Sequence, residues 1–173
     1  MSAIIIDGKA LATEIREKIK EDTARMTSAG IRPGLAVVLV GDDPASKVYV
    51  RNKKAACEEA GILSEEYTLP ASTSEAELLE LIHKLNNKKD IHGILVQAPL
   101  PSHINFKTIT ENILPEKDVD AFHPYNVGKI MIGDFDFLPC TPAGVMELIK
   151  KAGVSVSGKN CVVVGRRNIV GKP

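Results

Sequence analysis

Tyr49 and Lys53 lie four residues apart in the segment Ser46-Lys47-Val48-Tyr49-Val50-Arg51-Asn52-Lys53. Residues at that spacing share one face of a helix. Advancing from Tyr49 puts Lys53 at about 40°, Ala56 at about 340°, Cys57 at about 80° and Ala60 at about 20° on a helical wheel. Lys47, Arg51, Lys54 and Glu58 fall on the opposite side, between about 140° and 200°. Lys53 is therefore expected in the middle of an apolar, small-residue face. Two readings of it stand. In one, the stem covers apolar surface while the ammonium reaches water. In the other, the amine is held away from solvent and used for proton transfer. Burial disfavours the charged form and moves a lysine from ~10.4 towards about 7 to 8, at a cost of roughly 4 kcal/mol that the fold must supply. Tyr49 would then present its hydroxyl beside the amine. As a bare pattern, Y-x-x-x-K has little specificity.

Gln97 follows the apolar residues Ile94 to Val96 and precedes Ala98-Pro99-Leu100-Pro101. Ligands of parallel sheets bind outside the carboxyl ends of strands, and an amide there can orient a lysine or a substrate group without adding charge. The prolines stiffen this exit. A turn-stabilising amide is the competing reading. In Lys117-Asp118-Val119-Asp120-Ala121-Phe122, Asp120 is a carboxylate in an apolar setting. It could accept two parallel hydrogen bonds from a ligand edge bearing adjacent N–H groups. Lys117 and Asp118 read as a solvated local pair, worth little.

The apolar run Cys161 to Val164 leads into Gly165-Arg166-Arg167-Asn168-Ile169-Val170-Gly171-Lys172-Pro173. Glycines after a strand let backbone N–H groups approach a phosphate, and arginine suits the extra 2′-phosphate of NADP. The spacing is not G-x-G-x-x-G, and a basic turn is the competing reading. His83, His92, His103 and His123 form no H-x-x-x-H pair, and Cys57, Cys140 and Cys161 form no C-x-x-C pair. No metal site is expected, His83 is expected at the surface, and the cysteines are expected to be buried free thiols. G-x-S-x-G and Walker loops are absent from the sequence.

The elements that must position these residues alternate between helical and strand periods. Residues 7–29 have a helical recurrence of Leu11, Ile15, Ile19 and Met26, closed by Gly30. Leu35 to Val40 predicts a strand buried on both faces. Asp43-Pro44 opens a helix that Gly61 closes. A strand over 62–69, a helix over 75–85 and a strand over 94–97 follow. Residues 115–142 read as irregular, and a helix over 142–150 and a strand over 161–164 end the pattern. The fold expected is α/β: a three-layer parallel-sheet catalytic domain, residues 1–138, then a linker helix and the start of a Rossmann-like NAD(P)-binding domain, 139–173. A lone valine-rich strand cannot pair its backbone or bury its second face. The expectation is thus that a further unit of on the order of 100 residues belongs to this second domain.

The 173 residues carry 22 Lys+Arg against 22 Asp+Glu, so no net charge favours nucleic acid or an anionic membrane surface. Neither a membrane-length apolar run nor a signal-peptide pattern is present, and Asp7 and Lys9 interrupt the run Ala3 to Ile6. A soluble, cytoplasmic protein is expected.

Together, Ser46 to Lys53, Val96 to Pro101, Lys117 to Asp120, Pro139-Cys140-Thr141-Pro142 and Gly165 to Pro173 resemble the bifunctional methylenetetrahydrofolate dehydrogenase/methenyltetrahydrofolate cyclohydrolase family. They occur in the family's order and span nearly the whole chain. The resemblance implies that Lys53 is the central catalytic residue, with Tyr49 and Gln97 beside it and Asp120 holding the pterin ring. Tyr49, Val50, Arg51, Asn52 and Lys53, with Val96, Gln97, Ala98 and Asp120, would form the substrate surface. Gly165, Arg166, Arg167 and Gly171 would meet the cofactor, NADP or alternatively NAD. The implied reactions are oxidation of 5,10-methylenetetrahydrofolate and hydrolysis of the methenyl product to 10-formyltetrahydrofolate, in a homodimer serving one-carbon metabolism and purine biosynthesis. A folate-binding remnant without hydride transfer and a monofunctional NAD-dependent dehydrogenase are the alternatives. Four positions depart from the family's usual residues: Ala98 stands for leucine, Ala55 for lysine, Ala121 for glycine and Arg167 for serine. Ala98 removes apolar volume from the implied cleft, and Arg167 bears on the choice between NADP and NAD. Ala121 is costly if its φ is positive.

Overall fold

The apolar run at 35–40 becomes the central strand of a three-stranded parallel sheet in a computed structural model that describes residues 5–167, 170 and 171. The strands are β1 (Gly34–Val40), β2 (Leu63–Leu69) and β3 (Gly93–Val96), ordered β2-β1-β3. β1 is flanked on both sides, with Val37 opposite Glu66 of β2 and Leu95 of β3. Every β1 residue except Leu35 is buried, as expected for a strand covered on both faces.

The crossover helices explain the layers. Helix α2 (Pro44–Ala60) links β1 to β2, and α3 (Glu75–Asn87) carries the chain back across β1 to β3. Right-handed crossovers running in opposite directions lay their helices on opposite faces. Val50 of α2 accordingly packs with Val37, Leu39 and Leu95, whereas Leu78, Ile82 and Leu85 of α3 pack with Ala36, Val38 and Val40. The three-layer α/β architecture is therefore as expected. Asp43 caps α2 by accepting the Ser46 N–H at 2.7 Å, and Gly61 ends it at φ 76°. In α1 (Gly8–Ser28), Leu11 is buried but Ile19 and Met26 are exposed, because α1 packs mainly on α2.

The stretch read as irregular is largely helical. Helix α4 (Phe106–Asn112) precedes a 3-10 turn (Pro115–Lys117), α5 spans Pro124–Ile132 and α6 spans Cys140–Lys151. α4 and α5 are short, α5 begins at a proline, and Pro139 stands at the N-cap of α6. In α5, His123 Nδ1 accepts the Tyr125 N–H at 3.0 Å and Gly133 closes the helix at φ 78°. The expected strand at 161–164 does not form. Val162, Val163 and Val164 are 86%, 63% and 98% exposed, because no strand among the described residues pairs with them. Asn168, Ile169, Lys172 and Pro173, and Ala3 and Ile4 near the start, lie outside the described residues. Of the cysteines only Cys57 is buried; Cys140 and Cys161 are exposed, which corrects the expectation of three buried thiols. No helix among the described residues is long and apolar enough to cross a membrane.

Candidate functional site

The buried stripe of α2 runs through Ser46, Val50, Cys57 and Ala60, with half-buried Lys53 between them. On the same wheel the stripe is centred about 60° round from Tyr49. Tyr49 consequently sits at its margin, 61% exposed. Lys53 is nonetheless directed inward: its Nζ donates to Gln97 Oε1 at 2.8 Å and lies 5.7 Å from the centroid of the Tyr49 ring. The ammonium is therefore engaged by an amide and an aromatic face.

Gln97 stands at the carboxyl end of β3, where its N–H continues the ladder to Val38 O at 2.8 Å. Its Nε2 donates to Ala98 O at 2.7 Å, which leaves Oε1 to accept from Lys53. The amide is thus oriented by its own neighbouring backbone. The Ala98–Pro99 peptide is cis.

Asp120 follows the 3-10 turn, half-buried, on a segment stapled to β3 by a bridge between Ile94 and Asp118. Burial pushes its carboxyl up to about 6; the Lys53 ammonium opposes this and the Asp118 carboxylate adds to it. Val119 seats the segment: a Cβ on Gly93 would lie 2.6 Å from Val119 Cγ1, so glycine makes room for it in β3. Cys140, at the start of α6, joins the same electrostatic neighbourhood. Although the residue is exposed overall, partial desolvation of its sulfur raises the thiol, Asp120 raises it further and Lys53 lowers it. Cys140 belonged to a recognisable motif, but nothing in its spacing linked it to Asp120.

Lys53, Gln97, Tyr49, Asp120 and Cys140 thus come together from α2, β3, the 118–122 turn and α6. Of the other expected substrate positions, Ala98 adjoins the site, its carbonyl accepting the Gln97 side-chain N–H. Val50 and Val96 are core residues, and Ala98 and Asn52 are exposed. Arg51 faces a separate groove of about 370 Å³ with Lys47, Lys54, Glu66 and Thr68. Lys117 and Asp118 are not a solvated pair. Lys117 Nζ caps α3 through Leu85 O at 3.1 Å and Lys88 O at 2.9 Å, and Asp118 is buried.

Ala121 adopts φ 56° and is fully buried, so the departure from glycine falls on a left-handed residue. That conformation costs an L-residue about 1–2 kcal/mol, against about 0.8 kcal/mol gained by burying its methyl. Ala121→Gly is expected to leave stability unchanged or raise it by up to about 1 kcal/mol. Ala60→Gly in α2 should cost about 1–2 kcal/mol. Urea midpoints compare the two; equal losses would contradict the strain at Ala121.

In the glycine loop, a Cβ on Gly171 would collide with the Gly165 backbone, so the loop closes on itself only with glycine there. Val170 and Gly171 N–H groups both turn back to Arg167 O, at 3.3 and 3.0 Å, while Arg166 and Arg167 are exposed. A tight glycine turn beside free guanidinium groups fits a dinucleotide phosphate. Among the described residues, no group of three His, Cys, Asp or Glu side chains is arranged to hold a metal ion.

Comparison with known proteins agrees with this arrangement. The "Bifunctional protein FolD" of Geotalea uraniireducens is 61% identical over 171 residues, 99% of this chain and 61% of that protein. The bifunctional FolD structure from Campylobacter jejuni superposes with TM-score 0.96 at 49% identity, covering 99% of this chain and 61% of that one. The Trypanosoma brucei dehydrogenase-cyclohydrolase, solved with NADP cofactor and inhibitor, gives TM-score 0.94 at 38% identity, covering 99% of this chain and 59% of that one. The chain thus spans about three fifths of the length of the relatives it matches. Residues 6–120 match the tetrahydrofolate dehydrogenase/cyclohydrolase catalytic domain and 139–173 its NAD(P)-binding domain. With the inward lysine, the strand-end amide and the raised carboxylate on that matched segment, the chain belongs to the tetrahydrofolate dehydrogenase/cyclohydrolase family.

Proposed function

We propose that this chain carries the folate site of a bifunctional enzyme that oxidises 5,10-methylenetetrahydrofolate to the methenyl cation with NADP and hydrolyses that cation to 10-formyltetrahydrofolate. The observation that carries the reading is the Lys53–Gln97 hydrogen bond at 2.8 Å with Asp120 and Tyr49 beside it. Family membership supports it, as do the bifunctional relatives.

In this reading Asp120 accepts the paired N–H groups of the pterin edge. Tyr49 offers an exposed ring against which an aromatic part of the substrate stacks. Water adding to the methenyl carbon forms a C–O bond; one C–N bond then breaks to leave the formyl group. The water gives up two protons, of which one ends on the departing ring nitrogen and one in solvent. Lys53 takes the proton from the attacking water and delivers one to the nitrogen, and Gln97 holds its amine in line. A carboxylate in that place would stabilise the cation it is meant to consume; a lysine brings no such negative charge. NADP, when bound, supplies the acceptor for the hydride leaving the methylene carbon. Gly165, Arg166, Arg167 and Gly171 would hold its phosphates, with the folate unit at 1–138 and the cofactor unit from 139. NADP rather than NAD is favoured by Arg166 and Arg167, two exposed cations suited to a 2′-phosphate. By the same family resemblance the protein works as a cytoplasmic homodimer that feeds one-carbon units to purine biosynthesis.

Two assays separate the activities. Loss of methenyltetrahydrofolate absorbance without nicotinamide reports the hydrolase, and reduced-nicotinamide absorbance with NADP and methylenetetrahydrofolate reports the dehydrogenase. The reading predicts both. Failure of the first assay with protein that binds folate would refute the role given to Lys53.

A further inference from the structure

Asp118 is 2% exposed, the one buried carboxylate among the described residues. Its Oδ2 accepts the His123 N–H at 2.8 Å and the Asn126 side-chain amide at 2.9 Å. Asn126, itself 4% exposed, also donates to Pro115 O at 2.9 Å. The Asp118 backbone bridges Ile94 of β3, and its carbonyl receives the Ala121 N–H at 3.1 Å. One residue therefore ties together the 3-10 turn, the start of β3, the left-handed Ala121 and the start of α5. Asp120, two residues on, is the side chain this knot holds near Lys53.

We propose that Asp118 is the positioning residue for Asp120 in two respects: gripped by Asn126 and His123, it fixes the 118–121 turn so that Asp120 is presented to Lys53, and its buried charge acts on Asp120 from two residues away. An amide at 118 could accept the same two N–H groups without the several kcal/mol that burying a charge costs. What the carboxylate adds is its field, and Asp120 is the titrating group on which that field acts. The charged and titratable groups around Asp120 are Lys53 from α2, Asp118 from its own turn and Cys140 from α6. The inference rests on the proposed folate site only for its second measurement.

The first measurement needs no ligand. In the full chain, carboxyl carbon NMR should place the Asp120 midpoint near 6. In Asp118→Asn, which keeps the shape and removes the charge, it should fall, by less than burial raises it. An unmoved midpoint in folded Asp118→Asn overturns the proposal, whether or not the protein turns over folate. The second variant, Asn126→Ala, keeps the charge and loosens the grip. It should raise the KM for methenyltetrahydrofolate roughly tenfold while kcat stays within about twofold. An unchanged KM in folded Asn126→Ala likewise overturns it, and this arm serves if Asp118→Asn does not fold.

Discussion

Lys53→Met is expected to slow methenyltetrahydrofolate hydrolysis by about 10²- to 10⁴-fold, the usual contribution of a positioned acid–base group, with the fold intact. Methionine reproduces the four-atom stem of the lysine without its ammonium and suits the half-buried stripe between Val50 and Cys57. The lost hydrogen bond to Gln97 is the main structural change, and water reaches that half-buried amide, so stability should move by no more than about 1 kcal/mol. Asp120 loses the one nearby cation that holds its carboxyl down, and its titration should rise further above about 6. Lys53→Arg discriminates the role. Arginine keeps the charge but cannot release a proton in a protein. If Lys53 acts as a shuttle, arginine fails as methionine does; if it acts as a fixed cation, arginine restores turnover. Single-turnover loss of methenyl absorbance, paired with a folate-binding titration, reads both variants. Normal hydrolysis by Lys53→Met would end the mechanism proposed.

Lys53 was legible in the sequence because a helix repeats its neighbours at fixed angles: small residues around one lysine, and charged residues opposite, are a pattern that survives without coordinates. The same arithmetic placed Tyr49 beside Lys53 but not its exposure, because the wheel fixes relative angles while packing chooses the face, and the sheet took Val50. Gln97 was legible for a different reason, since the apolar run of β3 must end before a polar residue and the prolines. The three layers followed from strand and helix order alone.

Asp118 was misread because its burial is a long-range fact. Lys117 and Asp118 are adjacent and opposite in charge, which suggests a local pair. The chain instead sends Lys117 to the carbonyls ending α3 and Asp118 to Asn126. Neither partner is marked by spacing. The helices inside 115–142 were hidden for a local reason: α5 is 9 residues long and contains Gly128 and several β-branched residues, so periodicity has too few turns to accumulate. The valine run at 161–164 shows the converse. Strand composition was plain, but a strand needs a neighbour, and composition does not contain one.

Asp120→Asn is expected to stabilise the protein and to impair its ligand binding, and pH separates the two effects. The Asp120 carboxyl lies near 6 in the folded chain, above the roughly 3.9 of an unfolded aspartate. The folded state therefore binds this proton more tightly, and stability from the group is fully present below the unfolded value and lost as pH rises through 6. A shift of that size corresponds to roughly 3 kcal/mol at most, and screening at a half-buried site reduces it to about 1–2 kcal/mol. Asparagine has no such dependence. The variant should exceed the parent by about 1–2 kcal/mol at pH 8 and match it near pH 4, as measured by urea unfolding at both. Binding runs the other way. A carboxylate accepting paired N–H groups contributes about 1.5–3 kcal/mol more than no such acceptor, so affinity for the pterin should fall by roughly 10- to 100-fold at neutral pH. In the parent that affinity should weaken as pH drops through about 6, because a protonated Asp120 offers a donor where the ligand presents donors. In the variant it should be flat. A stability difference that ignores pH would show that burial does not hold Asp120 near 6. A parent whose folate affinity is level from pH 5 to 8 would show that this carboxylate does not face the pterin.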